Sequence, residues 1–331
     1  MNEADLRLHC LGGLLLIVSG VADAQQRDLA PLPREAPAPI DNSTTAAKAE
    51  LGKLLFFDER LSGENRMSCA TCHIPEKAFA DGLARSLGAG GEPLARNTQT
   101  VLNTAFFSTF FWDGRAASLE EQALAPVESA EEMAQDLDEL VEELAAVPDY
   151  VERFAKVFSG PVSKEGIAKA LAAYQRTLLT PDSPFDRYLA GDEDTLSTAA
   201  KDGLELFRGA AGCVRCHNGP LLSDGKYYRL GIGGDDLGRA AVTGAEEDRY
   251  SFRTPTLRSI AETGPYMHDG SIATLFDVVE FYYRRVRPRG PEGLPLDVEP
   301  LLGQSYSEID ALVAFLRSLS GEVAKRSDPR L

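Results

Sequence analysis

Two short runs decide the fold of this chain: Cys69-Ala-Thr-Cys72-His73 and Cys213-Val-Arg-Cys216-His217. Their Cys-x-x-Cys-His spacing is that of covalent c-type haem attachment, in which two thiols join the haem and the adjacent histidine becomes an iron ligand. A zinc site would need a fourth Cys or His nearby, and a redox dithiol would need a βαβ context, so both fit the two runs less well. The sequence therefore predicts two haem c groups, attached through Cys69, Cys72, Cys213 and Cys216 and ligated on the proximal side by His73 and His217.

Residues 1–24 have the pattern of a secretory signal peptide. Arg7 precedes an apolar run from Leu11 to Val21, and Ala22-Asp23-Ala24 has the small-x-small form of a cleavage site. The run is too short to cross a bilayer as a helix. Cleavage after Ala24 would remove Cys10 and leave four cysteines, all within the haem motifs. We therefore expect a periplasmic protein with no membrane span after cleavage, and an uncleaved apolar tail is the alternative.

The chain of 331 residues has a formal net charge of −17. This charge disfavours nucleic acid and anionic membrane surfaces as partners. It would steer a basic electron-donor protein toward the chain, although many acidic proteins are simply soluble. The length left after cleavage suits two domains of ordinary size, and an oligomer is compatible with it.

Helical patterns dominate the sequence and no sustained period-two alternation indicates strands, so the predicted fold class is all-α. Helices expected over 45–57 and 197–207 each run toward a haem motif, the second with Ser197 as its N-cap. Both carry a glycine followed by Leu-Phe, at Gly52 and Gly203, and this internal echo indicates two related units. Further helices are expected over residues 137–147, 150–158, 165–179, 274–285 and 307–319.

These patterns divide the chain into four parts. The signal peptide, residues 1–24, is followed by an extended leader rich in Pro, Ala and charge over residues 25–44. An N-terminal cytochrome c-like domain is expected over residues 45–185 and a C-terminal one over residues 186–331. Each domain would hold one covalently bound haem.

The chain has four histidines, and their positions distinguish the ligands available to the two haems. One lies in the signal peptide and two are the proximal ligands, so only His268 remains. Met67 and Met133 are the methionines between the predicted cleavage site and the second haem motif, and local packing explains them more readily than ligation. The first haem is therefore expected to have an open iron that can bind a small ligand.

Further motifs follow in order around the haem runs. They are Arg96-Asn97-Thr98, Trp112-Asp113-Gly114-Arg115, Leu119-Glu120-Glu121-Gln122-Ala123, Glu132-Met133 and Pro265-Tyr266-Met267-His268-Asp269-Gly270. Over nearly all of the mature chain, this set resembles the bacterial dihaem cytochrome c peroxidase and MauG superfamily. The resemblance implies a peroxidatic N-terminal domain, an electron-transfer C-terminal domain and H₂O₂ as the oxidant.

The resemblance also implies roles near the first haem. Glu132 matches the family's catalytic glutamate, which acts as general base and then general acid on H₂O₂, and Glu131 is the alternative. Gln122 matches a residue that orients the peroxide. Trp112, the one tryptophan of the chain, matches a residue between the haems that carries electrons or holes. The alternative for Trp112 is simple core packing.

Two positions distinguish the branches of this family. In peroxidases that need reductive activation, a histidine in the loop before Arg96 blocks the first haem. That position is Ala89 here, which implies an enzyme that is ready in its ferric form. The distal methionine of the second haem is replaced by Tyr282, where MauG also has tyrosine, a known haem ligand. The neighbouring Tyr283 and Met267 are the alternatives.

The resemblance places two further groups near the second haem and between the domains. His268 would lie beside the second haem without ligating its iron. Asn97, Thr263 and Pro265 match a calcium site between the domains, where oxygen ligands bind a hard cation.

The leading functional hypothesis is a periplasmic dihaem peroxidase-type oxidoreductase. It would reduce H₂O₂ at the His73 haem and share oxidising equivalents through Trp112 with a His217/Tyr282 haem. A small periplasmic electron donor, such as cytochrome c or a cupredoxin, or a protein substrate would be its partner. The alternative is a MauG-like enzyme that oxidises Trp or Tyr side chains of a partner, although Ala211 stands where MauG carries a tryptophan. A pure electron-transfer cytochrome is disfavoured, because it would not need an open haem with a placed carboxylate.

Overall fold

The computed structural model describes residues 28–285, 292, 294–298 and 305–323. The predicted signal peptide and the first three residues of the predicted leader, 25–27, lie outside the described residues. No helix in the described ranges combines the length and apolar character that a membrane crossing requires.

Helices form almost all of the regular structure, in agreement with the predicted all-α class. Strands β1 (Tyr227–Tyr228) and β2 (Phe252–Arg253) pair antiparallel, with Tyr227 opposite Arg253. A π-helical turn over Phe281–Arg285 follows directly on the helix that ends at Glu280. The α-helices of the described residues are α1 (Ala46–Phe56), α2 (Cys69–Cys72), α3 (Leu119–Glu128), α4 (Leu137–Ala145), α5 (Pro148–Phe158), α6 (Lys164–Gln175), α7 (Pro184–Leu189), α8 (Thr198–Arg208), α9 (Ala240–Thr243), α10 (Leu275–Glu280) and α11 (Tyr306–Arg317). Short 3₁₀ turns lie at Ile40–Asn42, Glu59–Leu61, Pro75–Lys77, Thr104–Phe106, Glu193–Thr195, Cys213–Arg215, Glu246–Asp248 and Ile260–Glu262.

Several helices begin where the sequence supplies a capping side chain. The hydroxyl of Thr45 accepts the N–H of Lys48 at the start of α1, and that of Ser197 accepts the N–H of Ala200 at the start of α8. Such caps satisfy backbone donors that have no partner inside the helix. The N-cap predicted at Ser197 is therefore confirmed.

The helices that precede the two haem motifs make the same kind of crossing. Helix α1 packs on α6, where a Cβ at Gly52 would lie 1.8 Å from the carbonyl oxygen of Ala170. Helix α8 packs on α11, where a Cβ at Gly203 would lie 2.0 Å from the carbonyl oxygen of Ala311. Glycine alone permits so close an approach of two backbones without displacement. The pattern shared by the two helices thus corresponds to the same helix crossing in each unit, which confirms that the two units are related.

Each crossing lies in its own hydrophobic core. In the N-terminal unit Phe56 packs edge-on against Tyr174, with ring centroids 5.3 Å apart. In the C-terminal unit Phe207 packs against Phe315 at 5.0 Å. Burial of a phenylalanine of this kind contributes roughly 1.5–3 kcal/mol. Each haem motif therefore follows a helix that is anchored firmly in a separate core.

The described leader is tied into the C-terminal unit. The carbonyl oxygen of Asp28 accepts the N–H of Gly219 at 2.9 Å. The fully buried Arg258 donates to the carbonyl oxygen of Ala30 at 2.9 Å and pairs with both carboxylate oxygens of Asp186, at 2.7 and 2.8 Å. The segment after the predicted signal peptide thus packs directly on the loop that follows the second haem motif.

Several helices differ from the sequence-based expectation. Helix α6 ends at Gln175 rather than at residue 179, because Thr177 and Leu178 turn the chain with i→i+3 backbone bonds. The expected helix over 274–285 is divided into α10 and the π-helical turn. Helix α3 was not predicted, since Pro126 lies inside it.

Helix α7 spans the expected domain boundary at residues 185 and 186. Its Phe185 is fully buried and packs against Phe315, with ring centroids 5.2 Å apart. This contact assigns the helix to the C-terminal core. The division of the chain into the two domains stays a prediction.

Candidate active site

A cavity of about 1270 Å³ lies between the two units. It exceeds the roughly 300–1,000 Å³ of an ordinary small-molecule pocket, as expected of a space for two large cofactors. Both Cys-x-x-Cys-His motifs contribute to its walls, so residues far apart in the sequence face one space. The other predicted site residues also line it, namely Gln122, Glu132, Trp112, His268, Tyr282, Asn97, Thr263 and Pro265, together with the alternatives Glu131, Tyr283 and Met267.

The first motif presents its histidine with one ring nitrogen already occupied. Nδ1 of His73 lies 3.1 Å from the carbonyl oxygen of Phe79. The hydroxyl of Thr100 donates to the neighbouring carbonyl of Ala78 at 2.6 Å, which fixes this loop. Burial lowers the pKa of His73 and favours the neutral ring. With its Nδ1–H donated to a carbonyl, the imidazole has Nε2 available to ligate iron.

The second motif repeats this arrangement. Nδ1 of His217 lies 2.9 Å from the carbonyl oxygen of Leu222, and the hydroxyl of Thr256 donates to the carbonyl of Leu221 at 2.7 Å. Burial lowers the pKa of His217 as well. Both predicted proximal ligands are thus neutral, oriented imidazoles.

The four cysteines of the described residues are free thiols at the edge of the cavity. Burial raises the pKa of Cys69 to about 12, that of Cys72 to about 11 and that of Cys213 to about 12, and it also raises the pKa of Cys216. The thiols are not joined in disulfides, as covalent attachment requires. In the described part of the chain, no three His, Cys, Asp or Glu side chains are grouped to hold a metal ion, which gives no support to a zinc site. Two thiols and one oriented histidine in each unit fit a covalently bound haem.

Glu132 brings a carboxyl group to the first haem side of the cavity. It follows α3, the helix that carries Gln122, and both side chains line the cavity. Burial and the nearby charge of Glu131 raise the pKa of Glu132, and Arg115 opposes this effect. A carboxyl with a raised pKa exchanges a proton more readily near neutral pH than an ordinary glutamate does.

The loop that carries Ala89 is fastened to the same segment. The N–H of Ala89 donates to the carbonyl oxygen of Glu132 at 2.8 Å. A Cβ at Gly88 would lie 1.7 Å from the carbonyl oxygen of Glu131, so glycine is needed for this contact. The loop and the Glu132 segment therefore hold each other in place.

Trp112 joins the two units at the cavity wall. Its indole N–H donates to the carbonyl oxygen of Asn97 at 2.9 Å, and its ring meets that of His268 edge-on at 6.4 Å. The ring of Phe252 stacks on that of His268, with ring centroids 3.6 Å apart. Burial lowers the pKa of His268 to about 4, so its ring is neutral at neutral pH.

The three residues matched to a calcium site share the cavity wall with Trp112. The side-chain nitrogen of Asn97 donates to the carbonyl oxygens of Leu83 and Ala84, at 2.9 and 3.3 Å. The side-chain oxygen of Asn97 is the group left to bind a cation. Thr263 and Pro265 contribute to the same wall, and their backbone oxygens suit a hard cation.

The two candidate tyrosine ligands have different surroundings. Tyr282 lies in the cavity within electrostatic reach of Cys213 and Cys216, and burial raises its pKa. Tyr283 is 4% exposed within the C-terminal core, and its buried hydroxyl has no hydrogen-bond partner among the described residues. Tyr283 also lines the cavity and lies within electrostatic reach of Cys213, so the choice of Tyr282 as the ligand of the second haem stays a prediction.

Sequence reasoning did not find the charged bridge across the cavity. Arg96 donates to Asp113 at 2.6 Å and to both carboxylate oxygens of Asp236, at 2.7 and 2.8 Å. These contacts raise the pKa of Arg96, so it stays charged. The motif around Arg96 marked the residue, but Asp236 lies in a glycine-rich loop of the other unit that no local pattern connects to it.

Comparison with known proteins agrees with this arrangement. The family model described as "Di-haem cytochrome c peroxidase" matches residues 46–194. The methylamine utilization protein MauG of Methylorubrum extorquens is 42% identical over 324 residues, which cover 95% of this chain and 91% of that protein. The cytochrome c551 peroxidase of Pseudomonas aeruginosa is 38% identical and covers 91% of this chain and 86% of its own length. The crystal structure of a MauG-like protein associated with microbial copper homeostasis has a TM-score of 0.81 at 33% identity, covering 92% of this chain and 99% of that one.

The fold and the site define a c-type cytochrome with two haem-binding units that face one cavity, and the relatives show a peroxidase-like oxidoreductase. The extent and identity of these matches show that the chain belongs to the di-haem cytochrome c peroxidase family, which includes MauG.

Proposed function

We propose that the protein reduces H₂O₂ at the haem of the first motif and shares the oxidising equivalents with the haem of the second. The observation that carries this proposal is that Glu132, Trp112 and both proximal histidines line one cavity. The bound haems supply redox-active iron. The chain supplies proton transfer, orientation of the peroxide and a connection between the two units.

Glu132 is the proton carrier of this proposal. Reduction of H₂O₂ needs a proton moved from one peroxide oxygen to the other, and a carboxyl with a raised pKa can both accept and return it. Gln122 holds the peroxide by a neutral hydrogen bond and does not compete for the proton. Ala89 leaves space where a histidine would block access, so the site is open in the ferric protein.

Trp112 connects the two haem sites, and Tyr282 closes the second one. The hydrogen bond from Trp112 to Asn97 and the contact with His268 keep the indole at the junction of the units. A phenolate is a hard anionic ligand, so Tyr282 favours the oxidised state of the second haem more strongly than methionine would. A haem held by His217 and Tyr282 would then store oxidising equivalents, and a bound Ca²⁺ at Asn97, Thr263 and Pro265 would hold this junction together.

A MauG-like activity, oxidation of Trp or Tyr side chains in a partner protein, is the second candidate. Tyr282 favours it, as does the 42% identity to a MauG over most of both chains. Ala211, which is buried, stands where MauG carries a tryptophan before its second haem motif. A partner other than that of MauG is therefore proposed for this activity.

The proposed setting is the periplasm, after removal of residues 1–24. The net charge of −17 suits a small basic electron donor, such as a cytochrome c or a cupredoxin, and the same surface would also meet a protein substrate.

Stopped-flow mixing of the ferric holoenzyme with H₂O₂, with and without reduced cytochrome c, tests the two candidates. Rapid turnover with cytochrome c supports the peroxidase. A long-lived oxidised state of both haems that ignores cytochrome c supports the protein-oxidising enzyme. Ferric protein that does not react with H₂O₂ would refute both.

A further inference from the structure

Tyr228 stands at the edge of the second haem site. It belongs to β1, is half-buried and lines the cavity. Its hydroxyl lies near the side chain of Cys216, one of the two attachment residues. The same hydroxyl donates to Oδ2 of Asp224 at 2.6 Å. The phenol therefore lies beside a haem attachment residue and donates to a carboxylate.

Asp224 is held firmly for this contact. Its own N–H donates to the carbonyl oxygen of Cys216 at 2.8 Å. Its other carboxylate oxygen, Oδ1, accepts the N–H of Lys226 at 3.0 Å. The carboxylate is thus fixed relative to both the haem motif and Tyr228, and it is partly exposed to solvent.

Two tyrosines close to Tyr228 have no such base. The hydroxyl of its neighbour Tyr227 pairs with the hydroxyl of Thr109 at 2.7 Å. Tyr266, which also lines the cavity, donates to the carbonyl oxygen of Ile260 at 3.0 Å. A phenol that loses an electron also loses its proton, so a carboxylate at hydrogen-bond distance makes Tyr228 the easier of these to oxidise.

We propose that Tyr228 and Asp224 form a relay that passes oxidising equivalents from the second haem site to a half-exposed position that a partner protein can reach. This inference rests on the proposed function, in which H₂O₂ is the oxidant. It gives the chain a route for oxidation where Ala211 replaces the tryptophan of MauG.

The relay step balances. Tyr228 gives one electron to the second haem site and its phenolic proton to Oδ2 of Asp224, which leaves a neutral tyrosyl radical. One electron from an indole or phenol side chain of the partner, with the proton held on Asp224, restores the phenol. The oxidised partner side chain releases its own proton to solvent. Two such steps supply the two electrons that reduce one H₂O₂ to two H₂O.

Freeze-quench electron paramagnetic resonance of the ferric holoenzyme after mixing with H₂O₂ tests the relay. Wild type should form a neutral tyrosyl signal, which Tyr228→Phe abolishes. Asp224→Asn keeps the phenol but removes its base, and should slow formation of the signal on the order of a hundredfold. Tyr227→Phe is the matched control and should leave the signal unchanged.

Haem absorption separates a failure of the relay from a failure of the proposed function. If both haems are oxidised normally in Tyr228→Phe and the tyrosyl signal persists at its wild-type rate, the relay is refuted alone. If H₂O₂ oxidises neither haem in wild type, both proposals fall. Unaltered ferric spectra of each variant establish that the variant is folded and fully loaded.

Discussion

The indole N–H of Trp112 donates to the backbone carbonyl oxygen of Asn97 at 2.9 Å, and the N–H of Asn97 donates in turn to the carbonyl oxygen of His268 at 2.8 Å. These bonds join the N-terminal unit, which carries Trp112 and Asn97, to the C-terminal unit, which carries His268. The single tryptophan of the chain is thereby held where the two haem sites face each other.

Trp112→Phe should uncouple the two haem sites. Phenylalanine keeps a ring at the junction but loses the N–H and is harder to oxidise than indole. Oxidation of the second haem after mixing with H₂O₂ should slow at least about tenfold, equivalent to about 1.4 kcal/mol in the barrier. Stopped-flow absorption followed at the bands of each haem measures this. An unchanged rate at the second haem would show that electrons take another route.

Glu132→Gln should abolish most of the reaction with H₂O₂, because an amide cannot carry the proton. The expected loss lies in the range of roughly 10²–10⁴-fold for a general acid–base residue. Glu131→Gln is the matched control and should retain most of the wild-type rate. Equal losses of rate in the two variants would contradict the assignment of proton transfer to Glu132 alone.

The pH dependence of the same reaction follows from the raised pKa of Glu132. The carboxylate is the base, and it is protonated as the pH falls through the raised pKa. Wild-type reactivity should therefore decline at a higher pH than the pKa of an ordinary glutamate would give. Rates measured across acidic to neutral pH in wild type and Glu132→Gln test this, and an acid limb that persists in the variant would contradict it.

Tyr282→Phe should change the absorption spectrum of one haem only, because it removes the proposed ligand of the second iron. Tyr283→Phe should leave both spectra unchanged. Since it removes a buried hydroxyl without a partner in the described residues, it should alter the free energy of unfolding by less than about 1 kcal/mol. A spectral change in Tyr283→Phe alone would reverse the assignment.

Gly88→Ala and Gly90→Ala distinguish close packing of the Ala89 loop from a general effect of loop stiffening. A Cβ at Gly88 would meet the carbonyl oxygen of Glu131 at 1.7 Å, whereas a Cβ at Gly90 has no atom within 4 Å. Gly88→Ala should displace the Glu132 segment and slow the reaction with H₂O₂, and Gly90→Ala should not. Equal rates of reaction with H₂O₂ in the two variants, measured by stopped flow, would show that the close contact at Gly88 does not position the Glu132 segment.

Arg258→Gln should destabilise the C-terminal unit, because Asp186 would be left buried without its partner. The expected loss is about 3–5 kcal/mol of unfolding free energy. Arg34→Gln breaks an ion pair with Asp182 in which the side chains are 72% and 52% exposed, and it should cost at most about 1 kcal/mol. Denaturant unfolding of both holoproteins measures the difference, and similar losses would contradict the role assigned to the buried pair.

Much of this arrangement could be predicted from local patterns. The Cys-x-x-Cys-His runs fix thiols and histidine within one turn of chain, and the pattern shared by the two preceding helices, at Gly52 and Gly203, indicated two related units. The contacts between residues far apart in the chain could not be predicted. The pairs Arg96–Asp236 and Arg258–Asp186 join residues 140 and 72 positions apart, and no local spacing marks either partner. Helix α3 was not predicted, because Pro126 breaks its local pattern. Packing retains the helix.

We propose that the two haem sites are unequal in the oxidised protein: the iron of the first can bind a small ligand, and that of the second cannot. Electron paramagnetic resonance of the resting ferric holoenzyme, before and after addition of cyanide, tests it most directly. We expect one high-spin and one low-spin haem. Cyanide should convert only the high-spin signal, and it should do so without prior reduction of the protein. Two low-spin haems, or a high-spin signal that arises only after addition of one electron, would contradict it.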